Sequence, residues 1–385
     1  MHSWTRRTLA FAGIVGLLVF VVGCGSDDKS SDSGDSGATA AQTTAAAGDS
    51  GAPAWLTAAQ DAAKKATAFP DKIQSAQLGS FTPKPSATIY HVACNLALGG
   101  CARFSAALKA GSEALGYKFK VCNGGTSADT IAKCFTNAVN AKPDVIVANG
   151  IGADIAGDGY AAAKKAGIPI LGSLTGNTPG AVPGVATEVN GATCEAEGND
   201  LANWVIADSA GKANILFAGT KTYACNQQRQ AGFLSTIKAC ETCKVTTLEY
   251  AIDAIQSALP QQLQSALQSN ADATYVVATP DAAALAAVDA VRQSGKQIKV
   301  AGFDGDAPNV ALVKKGDIDA AEVTTGFAED GWTAADAAAR VIAGEKVPNV
   351  VSGTRIVLDK SNVDQVDEQY EGVTGYPDQF KALWK

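Results

Sequence analysis

Short apolar runs alternate with alanine-rich stretches of helical length over most of this chain. The first run is ATIYHVA, which begins at Ala87, and the helical stretch CARFSAALKAGSEAL follows it. The pattern continues through the runs YKFKVC, PDVIVA and IPIL, with a helical stretch between each pair. Strands that alternate with helices of this length form βαβ units around a parallel sheet. The sequence therefore predicts an α/β fold.

A segment rich in glycine and proline, Gly172–Gly191, interrupts this alternation, which then starts again. The second series begins with the helical stretch NDLANWVIADSAG at Asn199 and contains the runs ANILFAG, KVTTLEY, ATYVVA and IKVAGFD. A length of 385 residues also favours two domains over one. We therefore expect two Rossmann-like parallel-sheet lobes in series, with a crevice between them.

Residues 1–23 have the features of an export signal. Arg6 and Arg7 precede an apolar run from Leu9 to Val22, which is the arrangement of a secretory signal peptide. A small residue lies directly before Cys24, as lipoprotein processing requires, so we expect Cys24 to be acylated and to anchor the protein outside the cytoplasm, at the cell membrane. The paired arginines leave open whether export follows the general secretory or the twin-arginine route.

Residues 24–54 are mostly Ser, Gly, Asp, Ala and Thr, with almost nothing to bury. This composition predicts a flexible tether. Residues 55–85, which include a helical stretch and several prolines, form an N-terminal extension before the first strand. The net charge is −7 and no basic stripe is evident, which argues against a nucleic-acid partner.

Eight cysteines remain after Cys24, and an even number in an exported chain indicates disulfide bonds. Many connectivities are possible, so the pairing stays open. Short loops favour Cys94–Cys101, Cys122–Cys134, Cys194–Cys225 and Cys240–Cys243. The last pair follows a helical stretch and precedes a strand, the reverse of a thioredoxin-type redox pair. We expect no metal site and no cofactor, because His91 lies inside an apolar run and His2 in the export signal.

Polar residues follow the apolar runs where the strands end. Ligands of open α/β sheets bind beyond the carboxyl ends of the strands. Asp304, in the segment KVAGFDG, lies at such a position and can accept hydrogen bonds from a ligand, although an aspartate that caps a turn is the alternative. Asn95 and Asn149 also follow strands and are further candidates for ligand binding.

The motifs of common enzyme classes are absent from the sequence. There is no GxSxG segment and no histidine for a catalytic triad. The segment GIGADI resembles a dinucleotide-binding loop, but Ile155 takes the place of the third glycine. We therefore expect a binding protein, not an enzyme.

With these features the sequence resembles the sugar-binding branch of the type I periplasmic binding proteins, the ribose- and galactose-binder group. The resemblance covers about Ala87–Asp359 and lies in the segments LGYKFKV, AKPDVIVANG, AAAKKAGIPIL, EVNG, RQAGF and VAGFDG. It implies a type I periplasmic binding protein fold, with two lobes joined by a three-stranded hinge. The implied first lobe is 86–189 with 325–350, and the second is 190–324 with 351–385.

The resemblance also implies three ligand-binding residues on the second lobe. The family's asparagine at the first crossing matches Asn190, its arginine in RxxGF matches Arg229, and its aspartate in GFDG matches Asp304. A planar guanidinium beside a carboxylate that only accepts hydrogen bonds suits a polyhydroxy ligand. The alternatives are a surface helix residue for Arg229 and a helix cap for Asn190.

Several positions depart from the ribose binders. Leu98, Gly100, Cys101, Leu174 and Thr175 stand where those proteins have aromatic, amide and charged side chains. Pro280, with Asp281 beside it, replaces an asparagine, and Thr324 replaces a glutamine; we count Asp281 and Thr324 among the candidate binding residues. Smaller side chains on the first lobe leave room for a bulkier or less polar ligand, so we expect the ligand not to be ribose.

Three nearby aromatic residues can replace the missing ring faces: Tyr223, Phe327 and Trp332. For Trp332, packing between helices is the alternative.

The resemblance implies an extracytoplasmic, lipid-anchored solute-binding protein. It would close on a sugar or sugar-like molecule by a hinge motion and deliver it to an ABC permease in the membrane, acting as a monomer. Two alternatives stay open: a ligand-sensing lipoprotein that signals through a membrane partner, and a binder of a nucleoside, polyol or small aromatic. A related transcription regulator would need a DNA-binding headpiece, and a signal and linker stand in its place.

Overall fold

The structure is a computed structural model that describes residues 52–178, 180–191 and 193–385. The expected signal peptide, Cys24 and the tether up to residue 51 lie outside the described residues. Within the described part of the chain, no helix has the length and apolar character needed to cross a membrane.

The described residues form eleven α-helices and twelve strands. In chain order these elements are α1 (Ala54–Ala66), β1 (Thr88–Ala93), α2 (Gly99–Ala114), β2 (Lys118–Asn123), α3 (Ala128–Asn140), β3 (Val145–Asn149), α4 (Ala153–Lys165), β4 (Ile170–Ser173), β5 (Val185–Val189), α5 (Thr193–Asp208), β6 (Asn214–Gly219), α6 (Ala224–Ile237), β7 (Lys244–Glu249), α7 (Leu259–Ser269), β8 (Tyr275–Ala278), α8 (Asp281–Ser294), β9 (Lys299–Phe303), α9 (Ala307–Lys315), β10 (Asp319–Thr325), α10 (Phe327–Ala343), β11 (Val350–Val351), β12 (Arg355–Asp359) and α11 (Tyr376–Lys381).

The strands form two six-stranded sheets, one in each lobe. The first sheet has the order β2-β1-β3-β4-β5-β11, and all its pairs are parallel. The second has the order β7-β6-β8-β9-β10-β12, in which only the β10–β12 pair is antiparallel. Helices cover both faces of a parallel sheet, so its inner strands are apolar throughout. Strands β3 and β8 are accordingly buried along their whole length.

Three crossings connect the two lobes, after β5, β10 and β11. They lie side by side, because the backbone N–H of Asn190 donates to Val351 (2.8 Å) and the Thr325 hydroxyl donates to the carbonyl of Thr354 (3.0 Å). The side-chain oxygen of Asn190 also accepts from the N–H of Gly353 (2.6 Å). These observations confirm the predicted α/β fold of two parallel-sheet lobes joined by a three-stranded hinge.

The segments at the two ends of the described chain, 54–85 and 360–385, also run from one lobe to the other, and we call them the terminal straps. Helix α1 packs on α5 of the second lobe through Leu56, whereas Ile73, further along this strap, packs among residues of the first lobe. In the other strap, Tyr370 belongs to a second-lobe cluster and Phe380 to a first-lobe cluster. The sequence assigns 351–385 to the second lobe, but α11 packs on α10 of the first lobe, where its apolar residues are covered.

Trp332 of α10 lies under this C-terminal strap. Its ring stacks on Trp384 at 5.5 Å and lies 6.1 Å from the ring of Phe380. Packing between helices is therefore the role that the structure gives to Trp332. His91 is buried inside β1, and burial lowers the pKa of its imidazole to about 3.

All eight described cysteines are joined in disulfides. The pairs are Cys94–Cys101, Cys122–Cys134, Cys194–Cys225 and Cys240–Cys243. Each bond lies within one lobe, and the pairing that short loops favour is confirmed. None of the four bonds therefore prevents the lobes from moving relative to each other.

Candidate functional site

A cavity of about 70 Å³ lies between the two lobes, beyond the carboxyl ends of the strands. The first lobe lines it with Cys94, Leu98, Gly100, Cys101, Asn149, Gly150, Leu174 and Phe327. The second lobe lines it with Tyr223, Cys225, Asn226, Arg229, Pro280 and Asp304. A space of this size between two closed lobes admits a small molecule and has no room for a polymer.

Arg229 is held at the cavity wall between two carboxylates. Its Nε donates to Oε2 of Glu197 (2.8 Å) and its Nη1 to Oδ1 of Asp304 (2.7 Å), and the guanidinium carbon lies 5.0 Å from the ring centre of Phe303. Burial alone would lower the pKa of Arg229, but the carboxylates of Asp304 and Glu197 outweigh burial and hold that pKa above its ordinary value. Arg229 is thus a fixed, permanently charged donor.

The close packing of α5 on α6 brings Glu197 and Arg229 together. Gly198 makes this approach possible, since a Cβ there would come within 2.1 Å of the backbone oxygen of Arg229. The Cys194–Cys225 bond joins the same two helices. Both sulfurs lie near Glu197, but they are bonded to each other and Glu197 is paired with Arg229. This cluster therefore offers no set of metal ligands.

The backbone of Asp304 has a φ of 103°, which L-residues rarely adopt. Such a conformation costs about 1–3 kcal/mol and persists only where the surroundings enforce it. Here the carbonyl of Asp304 accepts from the Thr324 hydroxyl (2.6 Å) and from Nη2 of Arg103 (2.7 Å), while its side chain accepts from Arg229. These contacts fix the Asp304 carboxylate at the cavity wall.

Asn226 lies next to Arg229 at the wall, and the sequence reasoning missed it. Its Oδ1 accepts from the hydroxyl of Thr279 (2.9 Å), which lies 3.4 Å from Nη1 of Arg229. Asn226 and Arg229 are three residues apart on α6, a spacing that places them on one helix face. That spacing was the available signal. Tyr223, just before α6, donates its hydroxyl across the cleft to the carbonyl of Gly125 (3.2 Å).

The structure brings four of the predicted binding residues to the cavity: Asn149, Tyr223, Arg229 and Asp304. The other four lie away from it. Asn190 is buried in the hinge, where it adopts a φ of 59° that asparagine tolerates and binds the backbone. Thr324 supports the backbone of Asp304, and Asn95 accepts from the N–H two residues along its own loop. Asp281 is fully buried.

Asp281 belongs to a cluster of buried carboxyl groups behind the second-lobe wall, together with Asp319 and Glu322. Nδ2 of Asn309 donates to Asp319 (3.4 Å) and to Glu322 (3.3 Å). Burial raises the pKa of Asp281 and of Glu322 well above the ordinary range, and raises that of Asp319 to about 7. These groups therefore hold protons that exposed carboxyl groups would release.

Arg103 of α2, a second residue that the sequence reasoning missed, connects the lobes beside the cavity. Its Nη2 donates to Oδ1 of Asp306 (3.0 Å) and to the carbonyl of Asp304 (2.7 Å). Its guanidinium carbon lies 4.8 Å from the ring centre of Phe327. A first-lobe cation thus binds second-lobe acceptors, which favours the closed arrangement of the lobes.

Comparison with family models matches residues 98–346 to the periplasmic binding protein domain. Comparison with curated proteins gives no match. Among solved structures, a 5-methylthioribose transporter solute-binding protein from Thermotoga lettingae, in complex with 5-methylthioribose, is similar with a TM-score of 0.68 at 19% identity, over 79% of this chain and 99% of that chain. An ABC transporter solute-binding protein from Agrobacterium vitis with bound allitol has a TM-score of 0.66 at 21% identity, over 73% and 98%. One from Mycobacterium smegmatis with bound glycerol has 0.65 at 23%, over 75% and 99%. At these identities, the likeness establishes the fold.

Proposed function

The chain belongs to the periplasmic binding protein family, and from this premise we propose that it is the solute-binding protein of an ABC importer. It binds one small sugar or sugar-like molecule in the cavity between its lobes and releases it to a membrane permease when the lobes open. In this proposal Cys24 carries the lipid that keeps the protein at the outer side of the membrane.

One observation supports this proposal above the others: Arg229 and Asp304 meet 2.7 Å apart at the wall of a cavity between two hinged lobes. The guanidinium supplies fixed donors and the carboxylate supplies acceptors, so together they match the alternating donors and acceptors of a polyhydroxy molecule. The similar structures are those of proteins with bound 5-methylthioribose, allitol and glycerol, which have hydroxyl groups in common.

A screen of the purified protein against sugars, polyols, nucleosides and small aromatics tests the proposal. We expect a sugar or polyol to raise the melting temperature, because a ligand that binds only the folded state stabilises it. If no sugar or polyol raises it, binding of a sugar-like ligand is contradicted. The anchor is tested separately, since Cys24→Ala should move the protein from the membrane fraction to the soluble fraction.

Asp304→Asn then tests the site with the ligand found. Arg229→Ala is the poorer variant, because it leaves Glu197 buried without its partner. We expect Asp304→Asn to weaken binding at least about tenfold in calorimetry, since hydrogen bonds to charged groups are worth roughly 1.5–3 kcal/mol. Arg292→Ala, on an exposed ion pair of the same lobe, is the control and should bind like the wild type. Equal affinities of all three proteins would place the ligand elsewhere.

A further inference from the structure

The two walls of the cavity differ in chemistry. The second lobe presents Arg229, Asp304 and Asn226, whereas the first lobe presents Leu98, Leu174 and Phe327. The Cys94–Cys101 disulfide, two glycines and Asn149 complete the first-lobe wall. One wall therefore offers charges and an amide, and the opposite wall offers an apolar surface.

Asn149 is the polar side chain that the described first lobe contributes to the cavity lining, and its amide nitrogen is already engaged. Its Nδ2 lies 3.4 Å from both the carbonyl and the hydroxyl of Ser173. Its Oδ1 lies 2.9 Å from the sulfur of Cys94, which is in a disulfide and has no proton to donate. Among the described residues, Oδ1 therefore accepts no hydrogen bond, but Asn149 is only 2% exposed and so presents little polar surface to a ligand.

The polar residues next to this wall turn away from the cavity. The hydroxyl of Thr175 donates to Oε2 of Glu188 (2.8 Å), and Thr175 is fully buried. Arg103 is occupied by Asp306 and by the carbonyl of Asp304. Neither residue lines the cavity.

Gly100 allows the ring of Phe327 to lie against the start of α2. A Cβ at Gly100 would come within 2.7 Å of Cζ of that ring. The ring is thus packed against backbone on one side while it lines the cavity together with Leu98. The apolar side chains of this wall are thus supported by the backbone of α2 and lie beside a disulfide.

A ligand hydroxyl pressed against this wall would lose its bonds to water and gain none in return. An alkyl, thioether or ring substituent would instead remove apolar surface from water on both sides. In apolar pockets, even a single methylene changes affinity by roughly tenfold or more. The first-lobe wall therefore selects for an apolar group at one end of the ligand.

We infer that the ligand is amphiphilic: a hydroxyl-bearing end binds Arg229, Asp304 and Asn226, and an apolar end lies on Leu98, Leu174 and Phe327. This inference rests on the proposed function, because it describes the molecule that the same cavity binds. It separates the ligand class from fully hydroxylated sugars, ribose included, which would place polar groups against both walls.

Calorimetry with matched pairs of probes tests the inference. Each pair shares a hydroxylated part, and one member is less polar at one position. The pairs are D-ribose and 5-methylthio-D-ribose, D-galactose and D-fucose, and glycerol and 1,2-propanediol. We expect the less polar member of the best-binding pair to bind at least about tenfold more tightly. If the fully hydroxylated member binds equally well or better, the inference is overturned and the proposed function stands. If no probe of any pair binds, both are overturned.

Leu98→Asn provides a second, independent measurement. Leu98 is half-buried and is the N-cap of α2, a position where asparagine is favourable, so the variant should fold. We expect it to reduce the preference for the less polar probe at least about fivefold, because an amide then faces the apolar end. Leu96→Asn, at a half-buried position of the same loop that does not line the cavity, should keep the wild-type preference. An unchanged preference in Leu98→Asn contradicts the assignment of the apolar wall.

Discussion

At the scale of single residues, the buried carboxyl groups behind the cavity make folding depend on pH. Burial raises the pKa of Asp319 from its ordinary 3.8 to about 7, and raises those of Asp281 and Glu322 well above their ordinary range. A carboxyl with a raised pKa holds its proton in the folded chain and releases it in the unfolded chain. These groups therefore contribute most to stability below about pH 4. Their contribution is lost as the pH rises toward 7 and beyond.

Glu322→Gln should reduce this loss. Glutamine is neutral at every pH, so the variant no longer pays for holding a proton that the unfolded chain would release. Between about pH 4 and pH 7, we expect the melting temperature of the wild type to fall by several degrees more than that of the variant. Asp281 and Asp319, which pack with Glu322, still titrate in both proteins.

Thermal unfolding followed by circular dichroism across this pH range measures the difference. Glu249→Gln is the matched control, because Glu249 is exposed and pairs with Lys221 at the surface; its melting temperatures should run parallel to those of the wild type. Parallel curves for Glu322→Gln as well would show that Glu322 does not retain a proton in the folded protein.

Residues of the candidate site differed in how well the sequence predicted them. Asp304 and Arg229 lie in the segments VAGFDG and RQAGF, which carry the family resemblance, and both line the cavity. Glu197, the partner of Arg229, gave no signal, because α5 begins at Thr193 and the predicted helical stretch began at Asn199. Glu197 and Arg229 are 32 residues apart in the sequence and lie on different helices. Their contact depends on tertiary packing, which local sequence patterns do not reveal.

At the scale of elements, the pair α5 and α6 carries the charged wall of the cavity. Gly198 lets the helices approach, and the Cys194–Cys225 bond closes a loop with a sequence separation of 31. The Cys240–Cys243 bond at the end of α6 closes a separation of only 3. In the chain-entropy account, a longer loop stabilises the folded state more, because it restricts the unfolded chain more.

Replacing each of these pairs by alanine should therefore have unequal effects. We expect the double variant at Cys194 and Cys225 to lose about 3–4 kcal/mol of unfolding free energy, and the variant at Cys240 and Cys243 about 1.5 kcal/mol. Urea unfolding of the two variants and the wild type, all without reductant, measures both losses. The opposite order would mean that local packing around the sulfurs, and not loop closure, determines their contribution.

The apolar runs between the helical stretches predicted the inner strands well, since a strand covered on both faces is a continuous apolar segment. It did not predict where the terminal elements pack. Helix α11 is short, and nothing in its six residues indicates which lobe covers Phe380. That choice depends on the surface that Trp332 and Ala107 leave open on the first lobe, which exists only in the folded molecule.

At the scale of the whole molecule, five segments run between the lobes: the three crossings of the hinge and the two terminal straps. The straps contact each other, since Nδ2 of Asn362 donates to the carbonyl of Thr67 (2.9 Å) and the backbone N–H of Phe81 donates to Leu383 (2.9 Å). In the proposed hinge motion, the crossings would bend and the straps would move with the lobes that they contact. Direct contacts across the cleft would then favour the closed arrangement over the open one.

Arg103 makes charged contacts across this cleft, and Arg103→Ala should favour the open arrangement. The substitution removes hydrogen bonds to Asp306 (3.0 Å) and to the carbonyl of Asp304 (2.7 Å), both on the opposite lobe. Charged hydrogen bonds of this kind are worth roughly 1.5–3 kcal/mol, which corresponds to a shift of about tenfold or more in the closing equilibrium. The shift should also weaken ligand binding, in proportion to the fall in the closed fraction, because the ligand then has to close lobes that stand further open.

Small-angle X-ray scattering of the protein without added ligand measures the shift as a larger radius of gyration. Lys109→Ala is the control, since Lys109 lies on the same helix and pairs with Glu113 within the first lobe. We expect Lys109→Ala to scatter like the wild type and Arg103→Ala to scatter as a more extended particle, with both variants folded. Identical radii for all three proteins would show that the straps and the hinge hold the lobes together without Arg103, and that the cleft contact follows closure instead of driving it.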